Sequence, residues 1–397
     1  MKYRMLILAL ATSAMAASAS AATVKIGALY PFSGGLASLG QESFRGLELA
    51  VNQRNAAGGV NGQQIELVKV DAVDPNQAVA GAKQLVSDEV AAIFGTYASG
   101  LSYAATPVAE LAGIPYFELG AVSQKITTRG YQYLFRSNST TVTYGTAILD
   151  TLRDSIAPGM GLKPEDIRIG IIHEDGPYGS DVAATEEAHA KELGLKVVEK
   201  LPYSAKAVDL SSLILRLKGS DANVVLQTSY QNDSVLYFRQ AKEANFNPTI
   251  VIGAGGGYSL VDTAKAVGPD INGVFDMDFP QITINPAGAP GLDRFLADYQ
   301  STYNGSPQSG HSLANYVGAV GFLEAMDRAG SFDKDKVRAA VMAYEVPVGQ
   351  TANGWGFKFD EDGQNTRADL YLMQWQDGVL KTIAPENVAQ AEPIYKH

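Results

Sequence analysis

Five short segments concentrate hydroxyl, phenol and backbone amide groups where a small polar molecule could be held. They read Tyr97-Ala98-Ser99-Gly100, Glu118-Leu-Gly120-Ala121-Val-Ser123, Asp175-Gly-Pro-Tyr178-Gly, Thr228-Ser-Tyr230-Gln and Ala254-Gly255-Gly-Gly257. Ser99 stands at the start of a predicted helix, where its hydroxyl can share a carboxylate with the unpaired amides of the first turn. A serine there also serves as a helix cap, and that reading stays open beside the first. Tyr178 and Tyr230 offer flat apolar faces with a polar tip, suited to clamping a small organic molecule or to half-buried packing. The run Gly255–Gly257 lets backbone approach a ligand closely, or simply shapes a turn.

Bond-making chemistry has less to work with. The chain contains no cysteine, which excludes thiolate nucleophiles and thiolate metal ligands. Its four histidines (His173, His189, His311 and His397) never fall at the i, i+4 spacing of a helical metal pair. There is no Gly-Lys-Ser/Thr phosphate loop, and Gly253–Gly257 lacks the spacing of a dinucleotide fingerprint. His173-Glu174-Asp175 ends a predicted strand with no nucleophile near it in sequence, so it reads as a polar cleft edge. No enzyme activity, metal or cofactor is expected.

The elements that must position these segments alternate regularly. Val24–Leu29, Ile65–Val70, Ala91–Phe94 and Ile114–Phe117 read as strands, separated by helices over Gln41–Asn55, a stretch begun by Asp74-Pro75, and Leu101–Ala112. Asp74 as N-cap and Pro75 in the first turn are two independent start signals. A second series runs through strands Ile167–His173, Lys196–Leu201, Asn223–Gln227 and Thr249–Gly253. Its helices are capped by Ser180-Asp181 and Asp209, with a third over Asp233–Ala244. Helices are also predicted over Leu292–Tyr303, Leu313–Arg328 and Lys334–Ala343, and Trp355–Phe359 with Leu370–Trp375 as a closing hairpin-like pair. Such alternation predicts an α/β protein of two lobes, each a parallel sheet flanked by helices.

Length agrees, since 397 residues exceed what one core usually supports. Residues 1–21 carry Lys2 and Arg4, an apolar run over Met5–Ala11 and a small-residue tract ending at Ala21, the pattern of a cleaved export signal. The formal charge of −11 becomes about −13 without Lys2 and Arg4, which disfavours nucleic acid and anionic membranes as partners.

Several stretches carry a resemblance. They are Gly34-Gly35…Gly40-Gln41 with Arg45-Gly46, Asn55-Ala-Ala-Gly-Gly59, Asp74–Ala78, Thr128–Gln132 with Phe135-Arg136, His173–Gly179 and Arg239–Lys242. Together and in this order the chain resembles the periplasmic binding proteins of ABC importers for branched-chain amino acids, of type I fold. The resemblance implies two Rossmann-like lobes, residues 22–138 with 277–353 and 139–276 with 354–397. It implies a three-stranded hinge near Ser137–Thr140, Phe275–Asp278 and Ala352–Gly356. A monomer would capture a small molecule between its lobes in the periplasm and dock on a membrane permease. A ligand sensor for a membrane receptor is the alternative.

By the same resemblance, the ligand carboxylate falls at Tyr97, Ala98 and Ser99, with Gly120, Ala121 and Ser123 beside it. Tyr178 and Tyr230 face it from the second lobe, and His311 lies near the side-chain pocket. The acid that pairs a ligand ammonium in this family is missing, because the position is Gly255; Glu118 or Asp278 could replace it from another strand end. A threonine expected at the 120–123 turn is Val122. An aromatic or aliphatic carboxylate, or an amide or urea-type compound, thus stands beside an amino acid as ligand.

Overall fold

The computed structural model describes residues 22–395, so the leader expected over residues 1–21 lies outside it. A first sheet is built from β1 (Thr23–Tyr30), β2 (Gln64–Asp71), β3 (Ile93–Gly95), β4 (Tyr116–Glu118) and β5 (Leu134–Arg136). All its pairings are parallel, in the order β2-β1-β3-β4-β5. The second is built from β6 (Arg168–Glu174), β7 (Lys196–Tyr203), β8 (Val224–Thr228), β9 (Ile250–Gly253), β10 (Phe275–Asp278), β11 (Tyr371–Gln376) and β12 (Val379–Ala384). It repeats the same parallel order as β7-β6-β8-β9-β10, then adds β11 and β12 antiparallel.

Local signals explain most boundaries. The Asp74 carboxylate accepts the Gln77 N–H at 2.9 Å, and the helix Pro75–Ser87 starts where the Asp-Pro pair predicts. The cap expected at Ser180-Asp181 falls elsewhere. Pro177 occupies the first turn of the helix Pro177–Glu192 after Gly176, because its fixed φ already suits a helix start. Asp181 is thereby freed for a different task.

Other readings also shift. Trp355–Phe359 does not pair with Leu370–Trp375; the antiparallel pair is β11 with β12. Phe357 and Phe359 are instead buried in the first lobe's core, where Phe359 lies against Phe135 and Phe322. Phe275–Asp278, expected at a crossing, is a strand of the second sheet.

The helix His311–Arg328 is buried along most of its length and packs on the helix Ala37–Ala56. Gly46 permits this: a Cβ there would lie 2.0 Å from the Ser312 carbonyl oxygen. Backbone contact at Gly46 thus sets how deeply the helix carrying His311 sits. Among the described residues no helix is long and apolar enough to cross a membrane.

Candidate functional site

In a parallel sheet, the turns at the carboxyl ends of two strands diverge where the chain order reverses, leaving a crevice. In the first sheet this happens between β1 and β3, and in the second between β6 and β8. Tyr97 and Ser99 follow β3, Tyr178 follows β6 and Tyr230 follows β8. The two crevices face each other, and their turns line one small cavity. Its walls are Tyr97, Ser99, Gly120, Val122, Tyr144, Tyr178, Tyr230, Gly256 and His311.

The first-lobe wall is held by a buried acid. Glu118 accepts backbone N–H groups from Leu119 at 3.1 Å, Gly120 at 2.9 Å, Ala121 at 2.7 Å and Thr96 at 3.2 Å. It also accepts the Ser102 hydroxyl. Burial pushes its carboxyl up to about 7, with those donors and Arg136 pulling it down. Glu118 is therefore committed to shaping the turn and cannot serve as the missing ligand-facing acid. Tyr97 has φ +146°, a conformation that L residues rarely adopt, so the turn that aims its ring is imposed by its surroundings.

Ser99 opens the helix Ser99–Ala112, and its hydroxyl oxygen accepts N–H groups from Val122 at 3.2 Å and Ser123 at 3.1 Å. Its own O–H remains available to a ligand oxygen at the positive end of the helix. Ala98 and Ala121 do not line the cavity, because their methyl groups turn into the first lobe's core.

Across the cavity, the Tyr178 hydroxyl donates to the Ala254 carbonyl. The rings of Tyr178 and Tyr230 stand 5.6 Å apart, and those of Tyr97 and Tyr230 6.2 Å apart. Burial pushes the phenols of Tyr97, Tyr144, Tyr178 and Tyr230 well above their usual range, so they remain neutral. Sequence reasoning missed Tyr144. It lies one turn into the helix Thr141–Thr151, after the first crossing between lobes, and no local pattern distinguishes it from a core tyrosine.

At Gly255 the wall differs from expectation by one residue, since Gly256 lines the cavity. Gly255 has φ +74°, and a Cβ on it would lie 2.5 Å from Asp278 Oδ1. The space a side chain at 255 would fill is taken by the Asp278 carboxylate, delivered from β10. Asp278 accepts the Tyr144 hydroxyl at 2.5 Å and lies 3.4 Å from His311 Nε2. Burial alone would raise it, but His311 and Tyr144 outweigh burial and hold it below the usual carboxylate range. Burial and then the Asp278 charge push Asp276 well above that range, and its Oδ1 accepts the Gly255 N–H at 2.9 Å.

Ser123 is also placed otherwise than expected. Its hydroxyl donates at 2.5 Å to Asp181 on the opposite lobe, and Lys125 Nζ reaches the other carboxylate oxygen at 2.6 Å. A second bridge joins Val261 N–H to the Gln308 carbonyl at 3.1 Å, and Leu260 inserts into the first lobe's core. The lobes are closed on each other.

Two parallel-sheet lobes shut over a ring-lined cavity define a solute-binding protein, and the comparisons agree. Residues 23–379 match the family described as periplasmic binding protein, and the chain belongs to that family. It is 51% identical over 391 residues to "Leu/Ile/Val-binding protein homolog 8" of Brucella suis, spanning 98% of this chain and 97% of that protein. The fold is the type I periplasmic binding fold. The leucine binding protein LivK of Thermotoga maritima superposes with a TM-score of 0.80 at 20% identity, covering 92% of this chain and 98% of that one. A Rhodopseudomonas palustris solute-binding protein in complex with 4-hydroxybenzoate superposes with a TM-score of 0.77 at 20% identity, covering 93% and 95%.

Proposed function

We propose that this chain is the extracytoplasmic solute-binding component of an ABC importer, and that its ligand is a small carboxylate without an α-ammonium. Membership of a periplasmic binding protein family supports the location, and we take residues 1–21 as its cleaved leader. One observation carries the ligand class: among the described residues no acidic side chain lines the cavity, which presents rings, one serine hydroxyl and one imidazole. The Asp278 carboxylate stands behind Tyr144 and His311, with the Tyr144 hydroxyl on one oxygen and His311 Nε2 3.4 Å from the other. A desolvated ammonium facing this wall without a free carboxylate would cost several kcal/mol. A ligand carboxylate, by contrast, meets the Ser99 O–H and the first turn of its helix, and a flat ring suits the tyrosines around it.

A specific observation favours a second reading, an α-amino acid. The Asp278 carboxylate occupies the space beside Gly255 where the family's ammonium-pairing acid is expected, and the 51% identical relative carries a Leu/Ile/Val-binding name. Thermal shift on residues 22–397, refolded to strip carried-over ligand, separates the two. Aromatic and short aliphatic carboxylates should raise the melting temperature because they bind only folded protein. A shift confined to leucine, isoleucine or valine would overturn the carboxylate reading.

A further inference from the structure

His311 is the polar group of the cavity wall whose position packing alone does not explain. It is 4% exposed, and its ring sits edge-to-face between Tyr97 and Phe279, each 5.2 Å away. A phenylalanine would fill that slot with no polar atoms to desolvate. Neither imidazole nitrogen makes a hydrogen bond within the described protein, and the Asp278 oxygen 3.4 Å from Nε2 makes none either. Buried polar groups are hydrogen-bonded in the great majority of cases, and an orphan is costly. Three neighbouring polar groups do have partners in the protein: Ser99 accepts two N–H groups, Tyr178 donates to a carbonyl, and Tyr144 donates to Asp278.

The three groups form a chain. Tyr144 fixes one oxygen of Asp278, leaving the other facing His311 Nε2. Asp278 comes from β10 and His311 from the first turn of the helix His311–Arg328, so the pair spans the join between lobes. An imidazole that gives its Nε2–H to Asp278 has its second nitrogen left over for another partner. We propose that His311, oriented by Asp278 and Tyr144, selects a ligand bearing a hydroxyl group remote from its carboxylate, so that the solute is a hydroxy acid. A hydroxyl suits the site because it can donate to a bare ring nitrogen or accept from a protonated one. The carboxylate end then lies at Ser99 and the hydroxyl end at His311. This rests on the carboxylate reading above and narrows it.

Titration calorimetry with benzoate and 4-hydroxybenzoate on the refolded wild-type protein tests the inference directly. 4-Hydroxybenzoate should bind at least tenfold more tightly. In His311→Phe, which keeps the edge-to-face packing, the ratio of 4-hydroxybenzoate to benzoate affinity should fall to about one. His311→Asn should recover part of the preference. Equal binding of the two acids to wild-type protein overturns the inference and leaves the carboxylate reading standing. Equal losses for both acids in His311→Phe would assign His311 to packing alone. Binding of leucine but neither acid overturns the inference and the carboxylate reading together. The wild-type comparison decides even if His311→Phe does not fold.

Discussion

Removing Asp181 should weaken ligand binding without touching the cavity. Its carboxylate receives Ser123 Oγ and Lys125 Nζ from the opposite lobe, so both contacts exist only while the cleft is closed. Its side chain is 10% exposed, whereas that of Lys125 is 63% exposed. The hydroxyl bond to a largely buried carboxylate therefore carries most of the effect, about 1.5–3 kcal/mol. The lysine adds less, no more than about 1 kcal/mol for an exposed pair. Asp181→Ala thus costs the closed form about 2–3 kcal/mol. If the free protein is mostly open, the whole loss passes to affinity, because ligand binding draws on closure. At about 1.4 kcal/mol per decade, Kd should rise roughly 30- to 140-fold.

The assay is titration calorimetry with whichever acid or amino acid gives the largest thermal shift, on wild type, Asp181→Ala and Lys125→Ala. Lys125→Ala should raise Kd by less than about fivefold and lose its effect in high salt. Denaturant stability of the ligand-free Asp181→Ala protein should match wild type. A Kd within twofold of wild type for Asp181→Ala would refute the view that these contacts hold the cleft shut.

Three further outcomes are expected. Ser99→Ala orphans the Val122 and Ser123 N–H groups and should lower ligand-free stability and carboxylate affinity by about 1–3 kcal/mol each; unchanged denaturant melts would remove Ser99 from that role. Gly255→Glu should not supply a ligand-facing acid but should destabilise the fold, since its side chain would meet the Asp278 carboxylate; a stable variant that binds leucine more tightly would contradict this. Glu186 is buried with neither oxygen hydrogen-bonded among the described residues, and burial pushes it from 4.5 up to about 8. Between those values the folded protein keeps a proton that the unfolded chain has released, so rising pH favours unfolding, at about 1.4 kcal/mol per pH unit for this group. Glu186→Gln should therefore gain stability over wild type at pH 8 and little at pH 5; equal gains at both would refute the assignment.

Much of the architecture was readable along the chain because its signals are local. Asp74-Pro75 starts a helix through contacts within three residues, and apolar runs of strand length mark buried parallel strands. The resemblance carried Tyr97, Ser99, Gly120, Tyr178, Tyr230 and His311, and the structure brings these six to one cavity. It did not reach Tyr144. Asp181 was misread as a helix cap because Pro177, a stronger start signal, begins the helix one turn earlier. Trp355–Phe359 was misassigned because an apolar run shows that it must be buried, not against which sheet.

What the order of residues decides alone is most of the helices and strands and the turns where polar groups gather, since each depends on neighbours a few positions apart. What a Gly255 carboxylate would have done could be judged only in three dimensions. There the space is filled by Asp278, 23 positions on, which is held by Tyr144, 134 positions before it, and faces His311. Burial, charge and hydrogen-bond commitment belong to groups brought together by the folded second lobe, and His311 meets them from the first. The lobe architecture is therefore written in short-range pattern, and the character of the ligand wall in long-range contact.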